Sequence, residues 1–290
     1  MIPNNNLSVL PFYTSIEQQN ARKWWVYGRI YPLFSPTKFL LPFQIMREHR
    51  EPSSPLITSF KIYKADGELV GDFTNSVSPY VAIKYFTDYD VIVFASAMPV
   101  LLAFEDGQYY ATLSDGVETW YSEIFTSVTD TEPYLKIEWW DREDFVMDAG
   151  TIVYSERDFK NVLYLDSNLA KPEYVFEEEG ETRDGYFFAI KQISEKRYRF
   201  KFFASEYLLD VMRFIRMADY AFITYRNQTY RLDTFLITPE WESEGDVASV
   251  EAVFDTATVA KKLGLGYYET PVPPQRGDFN NDFNNDFDNR

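Results

Sequence analysis

Between residues 56 and 125 the chain is cut into short alternating runs by Asp-Gly pairs, and this spacing confines it to antiparallel β structure. Ile57–Tyr63 puts Ile57, Ser59, Lys61 and Tyr63 on one side, and Thr58, Phe60, Ile62 and Lys64 on the other. Asp66-Gly67 then supplies the positive-φ residues of a hairpin turn, and Glu68–Phe73 returns. Further strands are expected at Val81–Phe86, Val91–Ala97, Val100–Phe104, Gln108–Leu113 and Val117–Phe125, with turns at Asp106-Gly107 and Asp115-Gly116. Strands at 8–12-residue spacing indicate a sandwich or barrel. Aromatic residues make up 18% of the chain, and rings pack well on a pleated, half-buried surface. With aromatic and β-branched runs at residues 24–34 and 39–46, residues 24–128 read as a β-sandwich domain after an N-terminal arm at 1–23 that is polar or forms one short strand.

A second β block, 129–264, carries one helix. Strands are expected at Tyr134–Trp140, Phe159–Leu165 and Lys171–Phe176, followed by an exposed acidic loop at Glu177–Glu181. Lys196–Phe203 alternates Tyr198, Phe200 and Phe202 against Arg197, Arg199 and Lys201. Ser205 is placed to cap a helix in which Leu208, Val211, Met212, Ile215 and Ala218 recur at helical spacing. Strands at Tyr220–Tyr225, Thr229–Thr238 and Ala248–Phe254 follow, so the helix would cover one face of an antiparallel sheet. Residues 265–277 read as a Pro/Gly linker, and 278–290 as a tail repeating Asp-Phe-Asn-Asn.

The composition leaves little room for chemistry. The chain has no cysteine and one histidine, His49, which removes thiolate catalysis and zinc or iron sites built on several His or Cys. His49 lies in a charged stretch expected to be an exposed loop, with no Gly-x-Ser-x-Gly partner motif, and no phosphate-cradling glycine loop is present. The net charge of −17 lacks the basic footprint that nucleic acid requires, so no sequence-specific nucleic acid partner is expected. No 18-residue apolar stretch occurs, and residues 1–20 carry no basic segment followed by an apolar run. Synthesis in the cytoplasm without membrane insertion is the expectation. The acids Asp141, Glu143 and Asp144 beside Trp139-Trp140 could suggest a glycosidase cleft, and the run at 177–181 a hard cation, but an exposed turn and a solvated loop are the simpler accounts. The expectation is a non-enzyme with no metal and no cofactor.

Two sets of residues suit binding. Phe279, Phe283 and Phe287 are spaced by four, so an extended chain turns all three to one side as repeated anchors for a partner. Trp120, Trp139 and Trp140, with Trp24-Trp25, are candidates for stacking on sugar rings, which a buried position would remove.

The strings Gln108-Tyr109-Tyr110-Ala111-Thr112-Leu113-Ser114-Asp115-Gly116, Thr119-Trp120-Tyr121-Ser122-Glu123 and Lys136-Ile137-Glu138-Trp139-Trp140-Asp141 resemble structural proteins of phages and prophages in Bacteroidota. The resemblance runs on through Glu177–Glu181 and Gln192–Lys196 and covers residues 100–260. The strand, helix and strand order of 196–260 is similar to the module of phage tail-tube and distal-tail proteins. What this implies is a virion protein of the tail or baseplate, made in the host bacterial cytoplasm. It would form a homo-oligomeric ring and contact other tail or neck proteins. A carbohydrate- or receptor-binding β-sandwich of the virion or host surface is the second expectation.

Overall fold

The computed structural model describes residues 8–17, 33–37, 39–51, 56–95, 105–147, 150–241, 247–256 and 260–263. The protein is mainly β, and the helices among the described residues are short. In the first half the strands are β1 (Phe12–Tyr13), β2 (Phe34–Pro36), β3 (Phe43–Glu48), β4 (Ser59–Lys64), β5 (Leu69–Asp72), β6 (Val81–Tyr85), β7 (Tyr89–Phe94), β8 (Gly107–Ser114), β9 (Thr119–Ser122) and β10 (Phe125–Val128). A one-turn helix, α1 (Thr74–Val77), precedes β6. In the second half come β11 (Leu135–Trp140), β12 (Phe145–Met147), β13 (Gly150–Ile152), β14 (Asn161–Leu165), β15 (Glu173–Arg183), β16 (Tyr186–Ser205), helix α2 (Glu206–Met212), β17 (Tyr220–Tyr225), β18 (Gln228–Trp241), β19 (Val247–Thr256) and β20 (Ala260–Leu263).

The main sheet has fifteen strands and follows the path β1-β9-β8-β10-β2-β14-β11-β17-β18-β19-β16-β15, with β4, β5 and β20 attached off it. β2 joins the halves: it pairs in parallel with β10 and meets β14 at Phe34 and Tyr164. A three-stranded sheet, β3-β7-β6, packs on the N-terminal part through Phe43, whose ring lies 4.5 Å from Phe12, 5.1 Å from Phe94 and 6.3 Å from Phe60. This is sandwich-like packing of two sheets. Central β7 is buried on both faces, Ile92 and Phe94 in the main core and Val91 and Val93 in a second cluster with Val153, Phe159 and Phe214. A strand covered on both sides needs apolar residues at every position, which is why 91–95 reads as an unbroken apolar run.

The Asp-Gly turns at 66–67 and 115–116 form as expected, with Gly67 at φ +97° and Gly116 at φ +92°. The expected strand 100–104 and most of the aromatic run 24–34 lie outside the described residues. The Asp106 carboxylate accepts from Thr129 N at 2.7 Å and from the Thr129 hydroxyl at 2.8 Å. The start of the chain contributes to the core, with Val9, Leu10 and Phe12 buried.

Two expectations are corrected. Glu177–Glu181 is strand, not loop: β15 runs on to Arg183 and pairs with β16 as far as Tyr186. Cross-strand polar pairs hold the acidic row, with Gln192 Nε2 donating to Glu178 Oε1 at 2.8 Å. The helix is shorter than its apolar spacing suggests. It passes after Met212 into a 3₁₀ turn, Arg213–Arg216, and Phe214 and Ile215 are both buried. Ser205 sits at the N-cap with extended backbone, but its hydroxyl makes no capping bond.

Candidate functional site

The predicted tryptophans separate by strand parity. On β11, Leu135, Ile137 and Trp139 point into the core, while Lys136, Glu138 and Trp140 face out. Trp139 is fully buried and Trp120 is 2% exposed, so neither ring can lie against a sugar. Trp24 and Trp25 lie outside the described residues, as do Phe279, Phe283 and Phe287. Trp140 is half-buried, packs against the second core cluster and stacks with Tyr220 (5.2 Å) and Phe222 (5.4 Å), and Lys160 Nζ sits 4.2 Å from its ring centroid.

Trp140 belongs to a continuous outer face of β14, β11, β17 and β18. The Arg142 guanidinium lies 5.5 Å from the Tyr220 ring, and its Nε donates to the Tyr220 hydroxyl at 3.0 Å. Arg231 lies 5.9 Å from the same ring, whereas Arg226 packs 5.1 Å from Tyr225, whose ring rests on the main core. Lys160, Arg142, Arg226 and Arg231 make no ion pair among the described residues. Lys160, Arg142 and Arg231 lie close to the carboxylates of Glu138, Asp158 and Asp219. Next to them opens a groove of about 440 Å³ lined by Phe39, Lys136, Glu138, Lys160, Val162 and Tyr164. Lys136 is neutralised by Glu138 at 2.8 Å. Burial, and then the Glu138 carboxylate, push the Tyr164 phenol up to about 12, so it stays neutral and cannot act as a base.

The second exposed feature is the arm formed by β15 and β16. β15 is the terminal strand of the main sheet, and its 11 residues span about 36 Å at ~3.3 Å per residue. β20 pairs with residues Ser194 to Lys191 of β16, and the tip beyond is two-stranded among the described residues. Tyr174, Phe176, Tyr186 and Phe187 are all more than half exposed along it. The turn is Asp184-Gly185 with φ +51° and +82°. That dipeptide, between Thr182-Arg183 and Tyr186-Phe187, was the available sequence signal for the hairpin, hidden by the glutamates before it.

The remaining candidates are structural. His49 is exposed and lies just past β3, as expected for a loop residue, and its Nδ1 lies 2.8 Å from Oδ1 of fully buried Asp90. Arg47 Nε donates to Asp90 Oδ2 at 3.2 Å, and Arg47 Nη1 to Asp115 Oδ2 at 2.6 Å; Arg50 Nη1 reaches the same Asp115 oxygen at 2.7 Å. Arg47 Nη2 lies 3.2 Å from Asp90 Oδ2 without hydrogen-bond geometry. Burial opposes the Asp115 charge, but the N–H groups of Glu118 and Val117 and the Arg47 guanidinium outweigh it and hold the carboxyl below its ordinary range. This network ties β3 and β7 to the β8–β9 turn.

The acids after Trp140 cap backbone. Asp141 accepts from Asp219 N at 2.8 Å, and Asp144 from Tyr154 N and Ser155 N at 2.9 Å. Burial pushes the Asp141 carboxyl up. No group of three or more metal-ligating side chains occurs among the described residues, and none of their helices is long and apolar enough to cross a membrane. No protein-family model and no curated protein sequence matches the chain.

Proposed function

We propose that this protein is a structural component of a phage virion, part of a tail or baseplate, that assembles with copies of itself into a ring and attaches neighbouring tail proteins. The arm carries this reading. The arm is two-stranded only at its tip among the described residues, and a two-stranded ribbon by itself is marginally stable in water. This one also exposes Tyr174, Phe176, Tyr186 and Phe187, which a neighbouring subunit would cover. The mainly β fold and the acidic charge agree with such a role, since a channel wall of like charge does not retain DNA. The carbohydrate-binding reading loses Trp120 and Trp139 to the core, and Trp140 is flanked by two rings and covered by Lys160.

The test is native mass spectrometry across a concentration series, with negative-stain microscopy of the largest species. The wild-type chain is expected to form a closed oligomer. The variant Phe176→Glu with Phe187→Glu is expected to be a monomer with an unchanged far-ultraviolet circular dichroism spectrum. A wild-type chain that stays monomeric at every attainable concentration, with the arm variant indistinguishable from it, overturns the proposal.

A further inference from the structure

The chain holds four Asp-Gly pairs, at 66–67, 106–107, 115–116 and 184–185. Glycine has no side chain to shield its own backbone nitrogen from the carboxyl of the preceding aspartate. That nitrogen can add to the aspartate Cγ and lose its proton, while one carboxyl oxygen leaves as water and a five-membered succinimide closes. Water then opens the ring at either carbonyl. One opening restores aspartate; the other gives isoaspartate, in which the backbone runs through the side-chain carboxyl. One water leaves and one returns, so no oxidant, reductant or co-reactant is needed. Closure has two structural requirements. The carboxyl must be free to turn toward the next nitrogen, and the backbone must be free to leave its resting conformation.

Three of the four pairs are held. Asp66 Oδ1 accepts from Glu68 N at 3.0 Å, and Gly67 N donates to Lys64 O at 2.8 Å. Asp106 accepts twice from Thr129, and Gly107 lies within β8, paired with Ser127. Asp115 is buried and bound by Arg47, Arg50 and the N–H groups of Val117 and Glu118, and Gly116 N donates to Ser114 Oγ at 3.2 Å. Asp184 differs on each count. It is exposed and makes no hydrogen bond or ion pair among the described residues. At Gly185 nothing lies within 4 Å of where a Cβ would stand. The pair forms the turn of the arm, and beyond Lys191 its two strands pair only with each other among the described residues. A two-stranded end is among the first parts of a sheet to open, so the rotation that closure needs costs least here.

We propose that Asp184 is the site at which this protein converts aspartate to isoaspartate, through a succinimide closed on the Gly185 nitrogen. The product adds one methylene to the backbone of a two-residue turn, which moves Arg183 and Tyr186 out of register. This does not rest on the ring, although a neighbour covering the arm would slow the reaction.

The experiment ages the full-length chain at neutral pH in heavy-oxygen water. Its peptides are then mapped by mass spectrometry with electron-transfer fragmentation, which separates isoaspartate from aspartate. Each ring opening fixes one heavy oxygen, so uptake counts the succinimides formed. Uptake and isoaspartate at Asp184 should exceed those at Asp66, Asp106 and Asp115 by about fivefold or more, the factor that one net hydrogen bond is worth. In urea, where no fold holds any carboxyl, the four sites should level. Asp184→Glu should abolish the signal in its own peptide, because the longer side chain closes no five-membered ring. The arm variant, Phe176→Glu with Phe187→Glu, is aged beside the wild type, so that reaction at Asp184 in the variant alone reads as protection by assembly and upholds the site. Asp184 reacting no faster than another Asp-Gly pair in both chains, or the same preference persisting in urea, overturns the proposal.

Discussion

Replacing Arg47 by methionine tests whether the ionic network at the β3 end clamps the two sheets. The Arg47 side chain is 2% exposed and faces Asp90 and Asp115, which are 0% and 1% exposed. Removing one partner of a buried pair costs about 3–5 kcal/mol, because the remaining charge is left uncompensated. Arg50 still reaches Asp115 at 2.7 Å, and both Arg50 N and His49 still reach Asp90, so the low end, about 3 kcal/mol, is expected. Urea unfolding at neutral pH gives this as a lower midpoint with unchanged slope. Adding Asp90→Asn should recover part of the loss by removing one stranded charge. The pH dependence follows from the Asp115 carboxyl, which is held below its ordinary value of 3.8 in the folded chain. Its contribution is fully present above that value and disappears as pH falls through the folded one. Without Arg47 the carboxyl has less to lose, so the wild-type and variant curves should converge in acid. A loss below about 1 kcal/mol at neutral pH, in the range of an exposed ion pair, refutes the clamp.

Two further outcomes can be measured by the same unfolding. Gly67→Ala and Gly116→Ala both force an L-residue to positive φ, at a cost of about 1–2 kcal/mol. At Gly116 the new Cβ would also meet Thr58 Cγ2 at 3.1 Å, whereas at Gly67 nothing lies within 4 Å, so Gly116→Ala should be the more damaging of the two. Asp255 is held below its ordinary range by the Arg197 guanidinium, against burial and with help from the Thr234 hydroxyl. Its stabilisation is present above 3.8 and lost as pH falls through the folded value, so Arg197→Met should flatten the acid limb of the stability curve while costing no more than about 1 kcal/mol at pH 7 for this partly exposed pair.

Much of the sheet is legible because local chemistry agrees with the tertiary result. The alternation of Phe60 and Ile62 against Lys61 and Tyr63, ended by Asp66-Gly67, is sufficient for β4 and β5. Tyr198, Phe200 and Phe202 against Arg197, Arg199 and Lys201 likewise give the inner and outer faces of β16. The outward position of Trp140 was also available, since it shares parity with Lys136 and Glu138 while Trp139 shares parity with Ile137. Other features have no local signature. Four glutamates within five residues look like a solvated loop, and what makes them strand is the pairing with Gln192 and Lys191 beyond the turn. The Arg47 network joins residues 43 and 68 positions apart, a distance that no periodicity spans.

The acidity of the arm bears on how copies would meet. The edge of β15 that is unpaired among the described residues carries Glu177, Glu178, Glu179 and Glu181, and charged side chains on an edge strand discourage added strands. A two-fold dimer joins the same patch on both copies, so pairing arm to arm would set this row of carboxylates against itself. A heterologous contact, in which the arm of one copy meets a different surface of the next, avoids that repulsion, and contacts of this kind close into rings when the rotation permits. In the proposed ring the exposed aromatic side chains would supply the attraction, and the glutamates would disfavour the symmetric alternative. This exclusion is electrostatic, so it weakens as added salt shortens the screening length from about 10 Å at 0.1 M to about 3 Å at 1 M.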